Sequence, residues 1–447
     1  MIDAYTVAAA MGMPRMTSGE MQEALQLWDD IYRGRVSWCK NRVRPIGLPV
    51  AVTREIKRLI LTEFAASVDD VTANQQLQQF IPQLRRGLDY GLATGGMLLK
   101  PCYMSGGVAV DIVPQTAYVP VDYTDGTCTG VICPEEVAIG KNYYTRLEAH
   151  TYNRQDMTHT IRQKCYKSSM PGQLGLECSL QEVPQWAGIT PTKVFDNVAS
   201  PLFSVFRVPD ANNVDPVSPL GVSVYADAAG FFKDADEQWE RIMWEMESSE
   251  RAINASIDLF RLKNGKPELP KGRERMYMVM QQPDNKTFFQ AFSPEVRDTS
   301  YFNALNQILR RIESAVGLSY GTLSEVSDVE KTAEEIAASK QRSFVRVSDL
   351  QEALRTALEG LVYGIQYYNA YYSDNLNFSA APLSCSFGDG IKEDSDKEYQ
   401  RRVQMVRDKL LRPELFLSWY FGCTEEEALE MLPQQQDDGG LFGGSLT

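Results

Sequence analysis

Histidine is almost missing from this sequence, with His150 and His159 the only two in 447 residues. So small a supply leaves little for a histidine-based catalytic triad or a histidine-rich metal centre. The phosphate loop G-x-x-x-x-G-K-[ST] does not occur, because Gly140-Lys141 and Gly265-Lys266 are followed by Asn142 and Pro267. No serine-nucleophile elbow is read. GLATGGMLLK, residues 91–100, has glycines without dinucleotide-binding spacing and reads as a helix-to-strand loop. No apolar run approaches the ~18 residues of a membrane-crossing helix. The first twenty residues carry no basic leader region, so a product of the cytoplasm is expected.

The eight cysteines include no C-x-x-C pair. Cys128 and Cys133 with His150 and His159 form the one conceivable metal set, and their spacing fits no zinc module. Buried, reduced thiols are the expected state, with no metal and no cofactor. Bases are outnumbered, 45 Lys and Arg against 59 Asp and Glu, a net charge of −14. A protein that grips DNA needs the opposite balance. An acidic wall that lets DNA slide past without sticking does not.

What is present is an ordinary globular composition, 43% hydrophobic and 23% charged, in a chain long enough for two or more domains. Residues 1–100 read as helical. Thr17 to Glu20 has capping-box spacing, Thr53 is the expected cap of TREIKRLILTEFAASV, and a further helix is expected over 75–92. From 97 to 208, short alternating strands between Gly, Pro and Asp turns predict an antiparallel β subdomain. Helical periodicity returns from 221 to 252, with Phe231, Ala235, Trp239, Ile242, Met243 and Met246 on one face. Turn residues from Asn264 to Pro270 and short strands (RMYMVMQ, TFFQAF) follow, then a helix over 298–316. A polar loop leads to a long helical pattern from Thr332 to about Tyr372, with Gly360 and Gly364 as expected weak points. A strand over PLSCSFGD precedes helices at about 393–410, 413–420 and 425–432, the last with a Thr424–Glu427 capping box. A disordered tail is expected at 433–447.

Several stretches resemble the portal proteins of long-tailed bacteriophages. Trp28, Ile31, Tyr32, Gly34 and Trp38 match a W-x-x-I-Y-x-G-x-x-x-W opening. TREIKRLILTEFA, YGLATGGMLLKP, RLEAH, PLFSVFRVPDANNVDPVSPLGVSVYADA and IESAVGLSYGTLSEVSDVEKTAEEI follow in the family's order. Glu334 stands where family members usually carry Thr. The resemblance covers about residues 20–432.

The resemblance implies an α+β portal fold whose copies, twelve in the virion, close a ring around a DNA channel. It implies an α/β wing (1–218), a two-helix stem (219–252 and 297–317) and a small α/β clip (253–296). It also implies a tunnel loop (318–330), a long kinked helix with a return strand (331–390) and a helical crown (391–432). The tunnel loop nearest DNA would be Tyr320, Thr322, Leu323, Ser324, Glu325, Val326, Ser327, Asp328, Val329 and Glu330. Clip residues offered to a terminase and then to a head–tail adaptor would be Lys263, Asn264, Lys266, Arg273, Arg275, Asp284, Asn285 and Lys286. Expected partners are other copies of the chain, double-stranded DNA held without sequence specificity, the terminase large subunit, the adaptor, and major capsid and scaffolding proteins; no membrane is expected. With no Arg, Asn or Gln between Tyr320 and Glu330, the loop cannot read base edges. With no P-loop, the chain cannot power packaging, and it is expected not to be an enzyme. Two other readings stand beside this one. Glu325, Asp328 and Glu330 could hold Mg²⁺ in a nucleic-acid-processing enzyme, against a solvated acidic loop. The chain could also be a phage head or tail protein without a channel.

Overall fold

A computed structural model describes residues 2–432 except 105, 250, 251, 264, 265, 268, 270–276, 281–288, 293–296, 326–332, 374, 376–378, 389–394, 422–427 and 430. The chain is mixed α+β, with no closed barrel among the described residues. It divides into two units, Met1–Phe387 and Gly388–Thr447.

The first unit opens with α1 (Ala4–Met11), α2 (Gly19–Tyr32), α3 (Leu48–Leu61), β1 (Ala65–Val68) and α4 (Val71–Thr94). Side-chain caps set three of these starts. Asp3 accepts from Thr6 N, Ser18 from Met21 N, and Asp70 from Thr72 N and Ala73 N. The cap of α2 is therefore Ser18, not Thr17. Thr53 is not a cap either. Pro49 sits in the first turn of α3, where its missing N–H costs nothing, and Thr53 lies one turn inside, its hydroxyl donating to Val50 O at 3.1 Å. Likewise α4 begins four residues before the expected start, because Asp70 offers the better cap.

The β region comprises β2 (Gly96–Met104), β3 (Gly107–Pro114), β4 (Val119–Thr124), β5 (Thr127–Ile139), β6 (Asn142–Asn153), β7 (Thr158–Ser168), β8 (Leu176–Cys178), β9 (Thr192–Phe195) and β10 (Ser204–Arg207). All its pairings are antiparallel. One sheet runs β10-β2-β3, another β4-β5-β6-β7-β8, with β9 also on β7. The turn from α4 into β2 needs glycine twice over. Gly95 is left-handed (φ 95°), and a Cβ on it would come within 2.3 Å of Gly221 O. The buried Gln115 amide fastens this crossing, donating to Thr94 O at 2.8 Å and Gly221 O at 2.7 Å.

Next come α5 (Ala229–Ser248), β11 (Ala252–Ser256), β12 (Leu262–Lys263), β13 (Lys266–Pro267), β14 (Tyr277–Met280), β15 (Phe289–Phe292), α6 (Asp298–Val316), α7 (Ala333–Tyr372) and β16 (Leu383–Ser386). β11 is central, parallel to β14 and antiparallel to β15. β16 returns to pair with β1. The long helix is one uninterrupted element of 40 residues, about 60 Å at 1.5 Å per residue. Gly360 and Gly364 are not weak points. A Cβ on Gly360 would meet Ser204 Oγ at 2.8 Å, and one on Gly364 would meet Pro101 at 2.9 Å. Their hydrogens let α7 lie directly on β10 and β2. The main core joins α2, α3, α4, β2, β10 and α7 through buried side chains such as Phe80, Leu84, Leu99, Phe206, Leu354 and Leu361.

The second unit holds α8 (Ser395–Arg407) and α9 (Pro413–Phe421). Tyr399, Phe416 and Tyr420 cluster between them, and the Arg402 guanidinium lies 4.2 Å from the Trp419 ring centroid. The Thr424–Glu427 box and the tail at 433–447 fall outside the described residues. No helix among the described residues is long and apolar enough to cross a membrane.

Candidate assembly surface and channel loop

α5 and α6 pack against each other and bracket the β11–β15 excursion. Glu245 near the end of α5 receives Arg297 at the start of α6. Arg297 Nε reaches Glu245 Oε1 at 3.1 Å and Arg297 Nη2 reaches Oε2 at 2.9 Å, closing the neck of the excursion as a two-point fork. Arg297 thereby holds the Glu245 carboxyl below its usual value. The other side of α5 is tied to the segment before α3, where Asp236 accepts from Trp38 Nε1 at 3.0 Å and Ile46 N at 2.9 Å.

These ties set which α5 residues are covered, and the result differs from the sequence-based face. Phe232, Ala235, Asp236, Gln238, Ile242 and Glu245 are buried. Ala235 and Ile242 hold as core positions, whereas Trp239, Met243 and Met246 are exposed, 36%, 45% and 39%. Helical spacing places these three on the same side as Phe232 and Ala235. An apolar stripe thus starts inside the core and runs out onto the surface of the distal half. Trp244, Phe302, Phe344 and Val345 add exposed apolar surface on α5, α6 and α7. Scattered exposed apolar residues are ordinary, but a helical stripe that carries Trp239, Met243 and Met246 into solvent together is not.

The loop after α6 is built on one carboxylate. Glu313 is 2% exposed. Its Oε1 accepts from Leu323 N at 2.6 Å and Ser324 N at 2.8 Å; its Oε2 accepts from Ser324 Oγ at 2.8 Å and Gly321 N at 3.3 Å. Asn306, two turns earlier, clasps the next residue from both sides, with Glu325 N donating to Oδ1 at 2.8 Å and Nδ2 donating to Glu325 O at 3.2 Å. Arg310 lies over the Tyr320 ring at 4.8 Å. At the other wall, Arg346 of α7 packs against Gly317 and forms a two-point ion pair with Asp210. Neither Glu313 nor Asn306 stood out in the sequence, where each looks like a solvated helix residue.

Tyr320, Thr322, Leu323, Ser324 and Glu325 therefore form one anchored turn. Within it Ser324 is buried and Leu323 half-buried, so Thr322 and Glu325 carry its surface. Val326, Ser327, Asp328, Val329 and Glu330 lie outside the described residues. Of the clip residues, Lys263 and Lys266 are strand partners across β12 and β13; Asn264, Arg273, Arg275, Asp284, Asn285 and Lys286 lie outside the described residues.

One motif escaped the sequence reading. Gly317-Leu318-Ser319-Tyr320-Gly321 has the spacing G-x-S-x-G. It follows a helix rather than a strand, the reverse of a nucleophile elbow, and both histidines are buried in the β region, bonded to each other, Glu148 and Leu202. Among the described residues no group of three or more His, Cys, Asp or Glu could hold a metal ion. No protein-family model matches the chain, and no curated protein matches it.

Proposed function

We propose that the chain is one subunit of a homo-oligomeric ring at a capsid vertex, a phage portal protein that conducts double-stranded DNA during packaging and ejection. The observation that carries this reading is the α5 stripe of Trp239, Met243 and Met246, which a single copy leaves in water. Burying a large apolar side chain is worth on the order of 1.5–3 kcal/mol, and copies of a helical hairpin placed side by side would cover the stripe on every subunit at once.

The bracketed excursion supports the same reading. Two helices that carry a small sheet from one end suit a channel wall with a docking knob. In the proposed ring, α5 and α6 line the stem. The β11–β15 excursion receives the terminase large subunit and later the head–tail adaptor, while the Glu313-anchored turn leads into an acidic loop beside DNA. The α8–α9 unit is the crown. Capsid and scaffolding proteins surround the stem, and the motor is a separate ATPase. The acidic loop repels phosphate instead of gripping it.

Electron microscopy of the purified full chain, with its mass in solution, tests the proposal. Rings with a central hole are expected. A monomer that persists at high concentration overturns it.

A further inference from the structure

Two thiols face each other across β7 and β8. Cys165 and Cys178 are direct partners in the antiparallel register, and their sulfurs are 3.3 Å apart. Directly opposed antiparallel residues have Cα atoms about 4.5 or 5.5 Å apart, and both values fall within the range that a disulfide spans. Closing the bond to about 2.05 Å asks little more than a change of side-chain angles. Cys165 is buried, while Cys178 is partly exposed.

The place of the pair in the fold gives such a bond something to do. β8 is three residues long and sits at the sheet edge. An exposed Lys164–Glu177 ion pair at 3.2 Å adds little. Behind β8, Leu180, Val183 and Trp186 close a small separate core over Tyr144 and Cys165. A cross-link would fasten the whole 169–190 excursion to the sheet.

We propose that Cys165 and Cys178 form a reversible disulfide site, closed by a small-molecule disulfide such as oxidised glutathione. The Cys178 thiolate attacks one glutathione sulfur, the glutathione S–S bond breaks, and one glutathione leaves and takes up a proton. The Cys165 thiolate then attacks the Cys178 sulfur, and the second glutathione leaves with the other thiol proton. Two electrons pass from the protein thiols to glutathione, which ends as two reduced molecules. Burial pushes the Cys165 thiol up to about 12 and raises Cys178 as well. Thiolate is therefore scarce at neutral pH, and closure is slow but accelerates as pH rises. The site needs one copy of the chain only, so it stands or falls apart from the ring.

The test incubates the full-length folded protein with oxidised glutathione, traps remaining thiols with N-ethylmaleimide and maps linked peptides by mass spectrometry. The Cys165–Cys178 link should exceed any other pair by about tenfold, because proximity sets the exchange rate. It should reverse with dithiothreitol, and the linked protein should melt at a higher temperature. Cys178→Ser should abolish both the link and the melting shift. Cys165→Ala should leave only a glutathione adduct on Cys178, which checks the order of attack without requiring the first variant to fold. Linked peptides spread evenly over the cysteines, or a Cys178 adduct with no link in the unaltered protein, would overturn the proposal.

Discussion

His150 Nδ1 and His159 Nε2 lie 3.1 Å apart inside the β region, so the chain's two histidines are bonded to each other. Their outer nitrogens are also engaged. Leu202 N–H donates to His159 Nδ1 at 3.4 Å, and His150 Nε2 meets Glu148 Oε1 at 2.8 Å. One arrangement of protons satisfies all three contacts. His159 accepts from Leu202 and donates to His150, and His150 donates to Glu148. Lys100 Nζ at 2.6 Å and Arg146 at 3.2 Å complete the carboxylate, and Asp111 lies 3.8 Å from Lys100 Nζ. Burial alone would raise Glu148, but the His150 bond and the Lys100 and Arg146 charges hold its carboxyl well below the usual range. A second proton on His159 would point at the Leu202 N–H.

Acid should therefore weaken the fold in a defined window. Burial, then the neighbouring His150, hold the His159 imidazole well below its ordinary value. The unfolded chain takes up that proton at about pH 6.5, so the contribution of neutral His159 is complete above that pH. It is lost as pH falls, at roughly 1.4 kcal/mol per unit, until the folded group itself protonates. Glu148 has the opposite ordinary state and loses its contribution only below about pH 4.3. Urea midpoints at pH 7.5 and 5.5 should differ in the unaltered protein and draw together in His159→Gln. Equal midpoints at both pH values in the unaltered protein would contradict a His159 held neutral by burial.

The Glu313 carboxylate should control the order of the loop far more than its stability share suggests. Replacing it with Ala strands the Leu323 and Ser324 amides and removes a buried charge-assisted set of bonds, at a cost of about 2–4 kcal/mol. Glu313→Gln keeps the shape but offers one acceptor oxygen instead of two, so its loss should be intermediate. Amide hydrogen exchange reads this directly. Leu323 and Ser324 should exchange faster in the order unaltered, Gln, Ala, while amides in β6 stay unchanged. Identical exchange at Leu323 in all three proteins would show that the turn holds itself.

Much of this architecture was legible from local pattern. The alternation in β5 to β7 and the helix–strand–helix excursion follow from signals within about ten residues, whereas the caps at Ser18 and Asp70 fall outside the expected positions and α7 runs on where a kink is expected. What escaped were choices made by distant partners. Periodicity put Trp239 and Met243 with Ile242 because it counts apolar side chains; Arg297 on Glu245 and Trp38 on Asp236 fix the rotation of α5 instead. Gly360 looked like a weakness because its neighbour Ser204 is more than 150 residues away. The loop's position was visible, but its anchor was not. Glu313 resembles any helix carboxylate until the chain turns back on it. The sequence grouped the two histidines only as a conceivable metal set with Cys128 and Cys133; their bond to each other appears once β6 and β7 pair.

If the α5 stripe is the seam between copies, charge placed there should break assembly and leave the subunit folded. Trp239→Glu with Met243→Glu puts carboxylates on side chains already 36% and 45% exposed, so the single copy should lose less than about 1 kcal/mol. In a buried seam each unpaired carboxylate would cost several kcal/mol, enough to dissolve the ring. Sedimentation should then show a monomer with unchanged circular dichroism. Rings of normal size from the double variant would place the seam elsewhere on the subunit.

The acidic loop makes the sharpest functional demand. A passage that must move DNA in both directions gains nothing from tight phosphate contacts, and each Lys facing the duplex adds a counterion-releasing contact with a salt slope of about −0.9. Replacing Glu325 and Asp328 with Lys changes the loop charge by four per subunit, two carboxylates lost and two ammonium groups gained, repeated around the ring. Packaging in a reconstituted system with the partner ATPase should slow or stall at low salt and recover as salt rises, because screening weakens exposed charge contacts. The recovery separates electrostatic grip from a misfolded loop, which salt would not repair. Full-length packaging at unaltered speed and low salt would leave the loop with no part in easing DNA through the channel.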